Sequence, residues 1–177
     1  FADYQPVPAD VQTKLLAEVI KVTGDKAQVQ VFESTRGLKN GDSVEFLGKM
    51  LEATLGPGLL ASIYDGLQND LTTMDGVFLR RGEYTSPLDH TKLWSYTPLA
   101  RVGDSVMAAD WLGEVREGWL PHKIMVPFSF KGSYTVKSLA PAGEYNIDEV
   151  IAVLTGEDGE DVNVTMCQKW PVKVALK

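Results

Sequence analysis

The 177-residue chain contains one cysteine, Cys167, and two histidines, His90 and His122. A single cysteine excludes an intramolecular disulfide and favours a reducing compartment. A structural zinc site needs four nitrogen or sulfur ligands at close spacing, which these three residues do not provide. We therefore expect no metal site.

Long apolar runs and an excess of positive charge are also missing. No segment approaches the roughly 18 apolar residues of a membrane span, and no signal-peptide pattern opens the chain. Lys and Arg number 17 against 24 Asp and Glu, which gives a net charge of −7. Because nucleic-acid binding requires clustered basic residues, this balance argues against a nucleic-acid partner. The prediction is a cytoplasmic chain without membrane insertion.

The motifs of common enzyme classes are absent as well. Gly48-Lys49 approaches a phosphate-binding loop, but Met50 follows where Ser or Thr is required. No Gly-x-Ser-x-Gly elbow occurs, although a triad assembled only in space stays open. A predicted hairpin tip carries four carboxylates, at Glu157, Asp158, Glu160 and Asp161. A solvated turn explains them better than a catalytic pair, so no catalytic residue is predicted.

The sequence does carry strand signals separated by turn residues. A hairpin is predicted over 15–31, where the run from Ala27 to Val31 alternates after a Gly24-Asp25 turn. Further short strands are predicted over 43–46, 50–55, 102–106, 111–115, 123–126, 134–139, 150–154 and 162–166. Breaks every 8–12 residues are typical of a barrel or sandwich.

The most specific local feature is Gly56-Pro57-Gly58, three breakers in succession that fix a backbone path and supply no reactive group. After it, Asp65 is predicted to cap a short helix that presents Leu67, Leu71 and Met74 on one face. A short apolar run follows at 76–79. Residues 82–100 are then predicted to form a long connection.

Four tryptophans stand at Trp94, Trp111, Trp119 and Trp170. Core packing is favoured for Trp94 and Trp170. Trp119 lies between Gly118 and Leu120 at a predicted loop, where an exposed tryptophan is typical of a protein interface. The candidate partner contacts are Trp111, Trp119 and His122, with an ordinary packing role also open for His122.

The second half of the chain resembles biotinyl and lipoyl carrier domains in the rhythm of its strands and turns. The resemblance lies in Gly103-Asp104-x-Val106 and Leu112-Gly113-x-Val115, followed by Val126-Pro127. Carriers present a modified lysine at a tight hairpin, and Lys123 is the only lysine near that place. Its flanking residues differ from the carrier pattern. The rhythm thus supports a barrel-sandwich hybrid fold and leaves a carrier as the alternative function.

Six ordered blocks resemble the catalytic A subunit of the V-type and A-type rotary ATPases, with bacterial members most similar. The blocks are residues 31–38 with Gly41-Asp42, 55–68, 78–82, 122–127, 142–145 and 166–172. The last contains Gln168-Lys169-Trp170-Pro171-Val172, which is specific to the family.

The resemblance implies a mainly β fold with a partial N-terminal β-barrel, a barrel-sandwich-hybrid-like domain and one or two short helices. The expected organisation is an irregular lead-in over 1–14, a partial barrel over 15–56, a connection with a short helix over 57–99, and a bulge domain with exit strand over 100–177. The bulge is the insertion that distinguishes this subunit and that contacts the peripheral stalk in the family.

The resemblance also implies a role. The family's nucleotide-binding residues would follow residue 177, so the chain is expected to be a non-catalytic fragment without a cofactor of its own. ATP and magnesium would bind elsewhere in the parent subunit. The parent complex would couple ATP hydrolysis or synthesis to proton or sodium transport. The expected partners are other head subunits and peripheral-stalk subunits, in the cytoplasm and peripheral to the membrane.

Overall fold

The computed structural model describes residues 14–72, 82 and 84–175. The chain divides into two compact units. One comprises Phe1–Met50 and Met74–Tyr84, and the other comprises Leu51–Thr73 and Thr85–Lys177. No helix in the described part is long and apolar enough to cross a membrane.

The first unit contains an antiparallel hairpin of β1 (Ala17–Thr23) and β2 (Lys26–Val31). Gly24 turns the chain between them at a φ of 60°, in the left-handed region that glycine adopts without steric cost. The hairpin prediction over 15–31 is therefore confirmed. Within residues 14–50, 82 and 84, no residue is buried.

The strand predicted over 43–46 is wrong. Residues 42–47 are irregular and pair with no described strand. Val44 and Phe46 alternate as strand residues do, but both are exposed, at 66% and 67%. Alternation produces a strand only where a neighbouring strand accepts the backbone hydrogen bonds.

The second unit contains two four-stranded antiparallel sheets and one two-stranded sheet. The two-stranded sheet pairs β3 (Glu52–Leu55) with β12 (Gln168–Pro171). The first four-stranded sheet has, in spatial order, β7 (Leu120–Met125), β6 (Trp111–Glu117), β4 (Trp94–Pro98) and β9 (Gly143–Tyr145). The second has β11 (Asp161–Val164), β10 (Ala152–Gly156), β8 (Tyr134–Leu139) and β5 (Ser105–Val106).

Inward-facing side chains of both sheets form one buried core. The first four-stranded sheet and the residue after β7 contribute Tyr96, Leu112, Val115, Ile124 and Val126. The second four-stranded sheet contributes Val106, Val136, Ala152, Leu154 and Val164. Val136 in β8 and Leu154 in β10 are nearly or fully buried, while Lys137 beside Val136 is exposed. This alternation is what an antiparallel sheet with one covered face requires. The prediction of a mainly β chain is confirmed.

Two sequence expectations fail between β3 and β6. The predicted connection over 82–100 contains β4, which pairs with both β6 and β9. The predicted helix at Asp65 is a turn, in which Asp65 Oδ1 accepts the N–H groups of Leu67 and Asn69 at 2.9 and 2.8 Å. The one helical turn nearby is a 3₁₀ helix at Leu59–Ala61. Met74 and the apolar run at 76–79 lie outside the described residues.

A contact with β3 explains why the turn at Asp65 replaces a helix. Gln68 has a φ of 63°, which ends a right-handed helix. Its side-chain amide accepts from the Thr54 N–H and donates to the Thr54 carbonyl, both at 2.7 Å. Gln68 thus hydrogen-bonds to β3 as a neighbouring strand would, and this tertiary contact overrides local helix propensity.

Candidate functional site

The three candidate partner contacts all lie on the β6–β7 hairpin, but the pairing separates them. Val115 lies opposite His122, and Glu114 lies opposite Lys123. Because directly paired residues share a face, His122 faces inward with buried Val115. Lys123 and Glu114 therefore face outward.

Trp111 lies on the outer face and is 57% exposed. The Lys123 ammonium stands 4.8 Å from its ring centroid, within the range of a cation–π interaction. Lys123 also forms an ion pair with Glu114. Trp111 is consequently exposed yet restrained by Lys123, which Glu114 holds in place.

Trp119 occupies the turn between β6 and β7 and is 86% exposed. The six residue steps from Trp111 to Glu117 correspond to about 20 Å at the rise of a β-strand. The two tryptophans therefore mark opposite ends of the hairpin and do not form one patch.

His122 is engaged with Glu117 on the inner face. Its Nδ1 lies 2.7 Å from Glu117 Oε2. The other carboxylate oxygen, Oε1, accepts the backbone N–H groups of Gly58 and Leu60 at 2.8 and 3.0 Å. Glu117 is 7% exposed, so these partners satisfy a buried carboxylate. The pair of Glu117 and His122 thus holds the Gly-Pro-Gly turn and the 3₁₀ helix against the hairpin.

The two glycines of that turn stand where a side chain would crowd a neighbour or strain the backbone. A Cβ at Gly56 would lie 3.1 Å from Leu88 Cδ1 and 3.2 Å from Cys167 Cβ. Gly58 has a φ of 110°, which strains any residue with a side chain. A side chain at Gly56 would therefore require Leu88 or Cys167 to shift by a few tenths of an ångström, and one at Gly58 would strain the backbone.

Sequence reasoning missed Glu117, although a signal was present. Gly113, Val115 and Glu117 alternate along β6, which places Glu117 on the core face. A glutamate on a core face needs partners. Nothing in the sequence indicates that those partners are backbone amides 57 and 59 residues away.

The core packing expected for Trp94 is confirmed, whereas Trp170 lies outside the buried core cluster. Trp94 is 5% exposed, with the Lys92 ammonium 4.1 Å from its ring centroid. Trp170 is half-buried and meets Phe128 edge to face, with 5.8 Å between ring centroids. That Trp111, Trp119 or His122 contacts a partner stays a prediction.

Two family models match this arrangement of units. The ATP synthase alpha/beta family beta-barrel domain matches residues 5–48, and the ATP synthase alpha/beta subunit barrel-sandwich domain matches residues 85–173. The chain belongs to the ATP synthase alpha/beta family. The predicted fold, with barrel and barrel-sandwich domains, is confirmed. The domain boundaries drawn from the sequence stay predictions.

Curated members of the family extend the match. The V-type ATP synthase alpha chain of Treponema denticola is 49% identical over 166 residues, which is 92% of this chain and 28% of that protein. The same chain of Chlamydia abortus is 48% identical over 164 residues, with 92% and 28% covered. That of Borreliella burgdorferi strain B31 is 47% identical over 165 residues, with 92% and 29% covered. The resemblance drawn from the sequence is confirmed, and this chain spans less than a third of the length of these relatives.

The nucleotide and magnesium ion that the family resemblance implies for the longer subunit do not fit the residues described. The sequence has no complete phosphate-binding loop. In residues 14–72, 82 and 84–175, no group of three or more His, Cys, Asp or Glu side chains is arranged to hold a metal ion.

The carboxylates at 157–161 stabilise their hairpin. Asp158 Oδ1 accepts the Glu160 N–H at 3.0 Å. Asp161 forms an ion pair with Lys137 and accepts a hydrogen bond from Thr155 at 2.7 Å. The hydrogen bonds from Lys137 and Thr155 lower the pKa of the Asp161 carboxyl. The interpretation of these carboxylates as a solvated turn is confirmed, since all four are exposed.

Proposed function

We propose that this chain is a non-catalytic structural and interaction segment of a V-type ATP synthase alpha chain, and that its barrel-sandwich domain contacts the peripheral stalk. The observation that carries the proposal is the exposure of Trp111 and Trp119, at 57% and 86%, on one well-anchored hairpin. Val115 and Glu117 fix the inner face of that hairpin to the core. Exposed tryptophans on an anchored hairpin are typical anchors of protein interfaces.

The proposal extends to the parent complex. Family membership and the names of the relatives support a complex that couples ATP hydrolysis or synthesis to the transport of protons or sodium ions. In it, this segment neither holds a cofactor nor hydrolyses ATP, and magnesium and ATP bind in the remainder of the subunit. Its partners are the other head subunits and the stalk subunits, on the cytoplasmic side and peripheral to the membrane.

Photo-crosslinking in the assembled complex tests the stalk contact. A photoreactive amino acid is placed at position 111 or 119 of the complete subunit, and at position 137 as the matched control. Lys137 is exposed on the outer face of the other sheet. We expect crosslinks to a stalk subunit from at least one hairpin position and none from position 137. Crosslinks from neither hairpin position to any stalk subunit would contradict the proposal.

The alternative, a biotinyl- or lipoyl-type carrier, gains no support from the geometry. A carrier lysine must stand at a hairpin tip, free to be modified. Lys123 lies within β7, where it pairs with Glu114 and covers the Trp111 ring.

A further inference from the structure

A shallow, open groove of about 470 Å³ lies beside Trp111 in the barrel-sandwich unit. We call it the Trp111 groove, and its walls are Leu99, Ala100, Asp104, Ser105, Val106, Ala109, Asp110 and Trp111. All of these residues belong to β5, the start of β6 and the loops on either side of β5. The groove is therefore a feature of this one unit.

The rim of the groove carries exposed apolar side chains beside its polar ones. Leu99 and Trp111 in its wall are 43% and 57% exposed. Val102 and Met107, on the adjoining loops, are 66% and 59% exposed. An exposed tryptophan beside further exposed apolar side chains is typical of an interaction surface.

The groove wall is also fixed before any partner arrives. Ala109 has a φ of 73°, a conformation that costs a non-glycine residue roughly 1 kcal/mol or more. Its N–H donates to the Val126 carbonyl at 3.0 Å, and the Val126 N–H donates to the backbone carbonyl of Asp110 at 2.9 Å. On the other side, Lys123 restrains the Trp111 ring. Such preorganisation lowers the entropy lost when a partner binds.

Two carboxylates give the groove its charge. Asp104 Oδ2 accepts the Arg101 N–H and Asp110 Oδ2 accepts the Met107 N–H, each at 2.8 Å. Neither carboxylate forms an ion pair with a Lys, Arg or His side chain in the described part of the chain. Their negative charge is thus held in place and left uncompensated, which a basic partner would complement.

We propose that the Trp111 groove docks a basic, amphipathic segment of a stalk subunit. An apolar side chain of that segment packs against Trp111 and Leu99, and a lysine or arginine reaches Asp104 and Asp110. This proposal rests on the proposed function, because it is the stalk that supplies the segment. Trp119 has no comparable wall of neighbouring side chains, so the groove carries the larger share of the affinity.

Binding measurements with the complete alpha chain and its purified stalk subunits test the groove. Trp111→Ala is expected to weaken binding about 30-fold, as for a central interface tryptophan. Asp104→Asn with Asp110→Asn is expected to weaken it about five- to tenfold at low salt and to flatten its salt dependence. Asparagine keeps the oxygen that accepts each backbone N–H, so the turns stay closed.

A matched control removes two charges elsewhere. Asp158→Asn with Glu160→Gln neutralises two carboxylates in the β10–β11 turn, and it should leave the affinity unchanged. Near-ultraviolet circular dichroism of each variant verifies that the fold is kept. If Trp111→Ala disturbs folding, the variant with Asp104→Asn and Asp110→Asn still tests whether the groove binds the stalk.

The outcomes separate the two proposals. If the wild-type chain binds the stalk and the groove variants bind equally well, the proposal of docking in the groove is wrong and the proposed function stands. If Trp119→Ala weakens binding while Trp111→Ala does not, the docking site lies at the hairpin turn instead. If the wild-type chain and stalk subunits do not bind, the proposed function itself fails.

Discussion

Gly113 leaves the space that the Tyr96 ring occupies. A Cβ at Gly113 would lie 2.2 Å from Tyr96 Cε2 and 2.5 Å from Cζ. The ring has little room to move, because Tyr96 is 1% exposed and meets Tyr145 edge to face at 6.1 Å between centroids. Its hydroxyl donates to the Leu112 carbonyl at 3.2 Å. Burial, with a smaller contribution from Tyr145, raises the pKa of Tyr96 to about 12, so the ring stays neutral.

Gly113→Ala should therefore destabilise the chain by about 2–3 kcal/mol, because the added methyl group overpacks the core at a rigid ring. Urea unfolding followed by tryptophan fluorescence measures the change in free energy. Gly66→Ala is the matched control, since Gly66 is exposed and no heavy atom lies within 4 Å of its Cβ position. It should change stability by at most about 0.5 kcal/mol. Equal unfolding midpoints for the two variants would contradict the steric argument.

At this scale the sequence showed where special residues stand, but not what they contact. The Leu112-Gly113-x-Val115 rhythm located a strand and a glycine. Tyr96 lies 17 positions earlier in the chain, and only the pairing of β4 with β6 brings its ring over Gly113. The loop position of Trp119 follows from the neighbouring glycine and proline. The inward direction of His122 does not, because it depends on the register of β6 and β7.

At the scale of elements, the Gly-Pro-Gly turn depends on one carboxylate from β6. Glu117→Ala leaves the N–H groups of Gly58 and Leu60 and the ring of His122 without their shared acceptor. We expect a loss of about 1–2 kcal/mol in stability, because partly buried donors and a ring lose a charged acceptor. The amide protons of Gly58 and Leu60 should also exchange faster with solvent. Unfolding curves and hydrogen exchange measured by NMR report the two effects.

Two further substitutions test whether the effect of Glu117→Ala comes from the lost acceptor at this position. Glu117→Gln retains a carbonyl oxygen for the two amides and should lose less stability than Glu117→Ala. Glu114→Ala removes a glutamate from the outer face of the same strand, where it pairs with Lys123. Partly exposed ion pairs contribute about 0–1 kcal/mol, so exchange at Gly58 and Leu60 should be unaffected. Faster exchange in Glu114→Ala than in Glu117→Ala would exclude the assigned role.

Local patterns predicted the elements that depend on local signals. The strand predicted over 134–139 is observed with those bounds, and the Glu157-Asp158-Gly159 turn joins β10 to β11. Sequence reasoning missed β4 and β9. Trp94, Ser95, Tyr96 and Thr97 alternate as strand residues do, but they lie in a stretch that was interpreted as a connection, and β9 is only three residues long. The helix predicted at Asp65 is wrong because the tertiary contact between Gln68 and Thr54 overrides the local signal.

Across the whole molecule, burial is distributed unevenly between the two units. Every residue of the buried core cluster lies in the second unit, from Leu88 to Met166. The described residues of the first unit include none that is buried. Apolar residues of β1 and β2 remain exposed, with Ile20 at 51% and Val22 at 68%. A two-stranded hairpin without a covered face is marginally stable by itself.

Hydrogen exchange of the 177-residue chain should therefore divide along the units. Amides of β1 and β2 should exchange through local opening, orders of magnitude faster than those of β6, β8 and β10, which open only with global unfolding. Exchange measured by mass spectrometry on peptides from 17–31 and from 134–156 provides the comparison. Because exposed apolar residues line β1 and β2, their protection should increase once the complete subunit joins the other head subunits. Equal protection of both peptides in the isolated chain would show that the hairpin is stabilised by contacts outside the described residues.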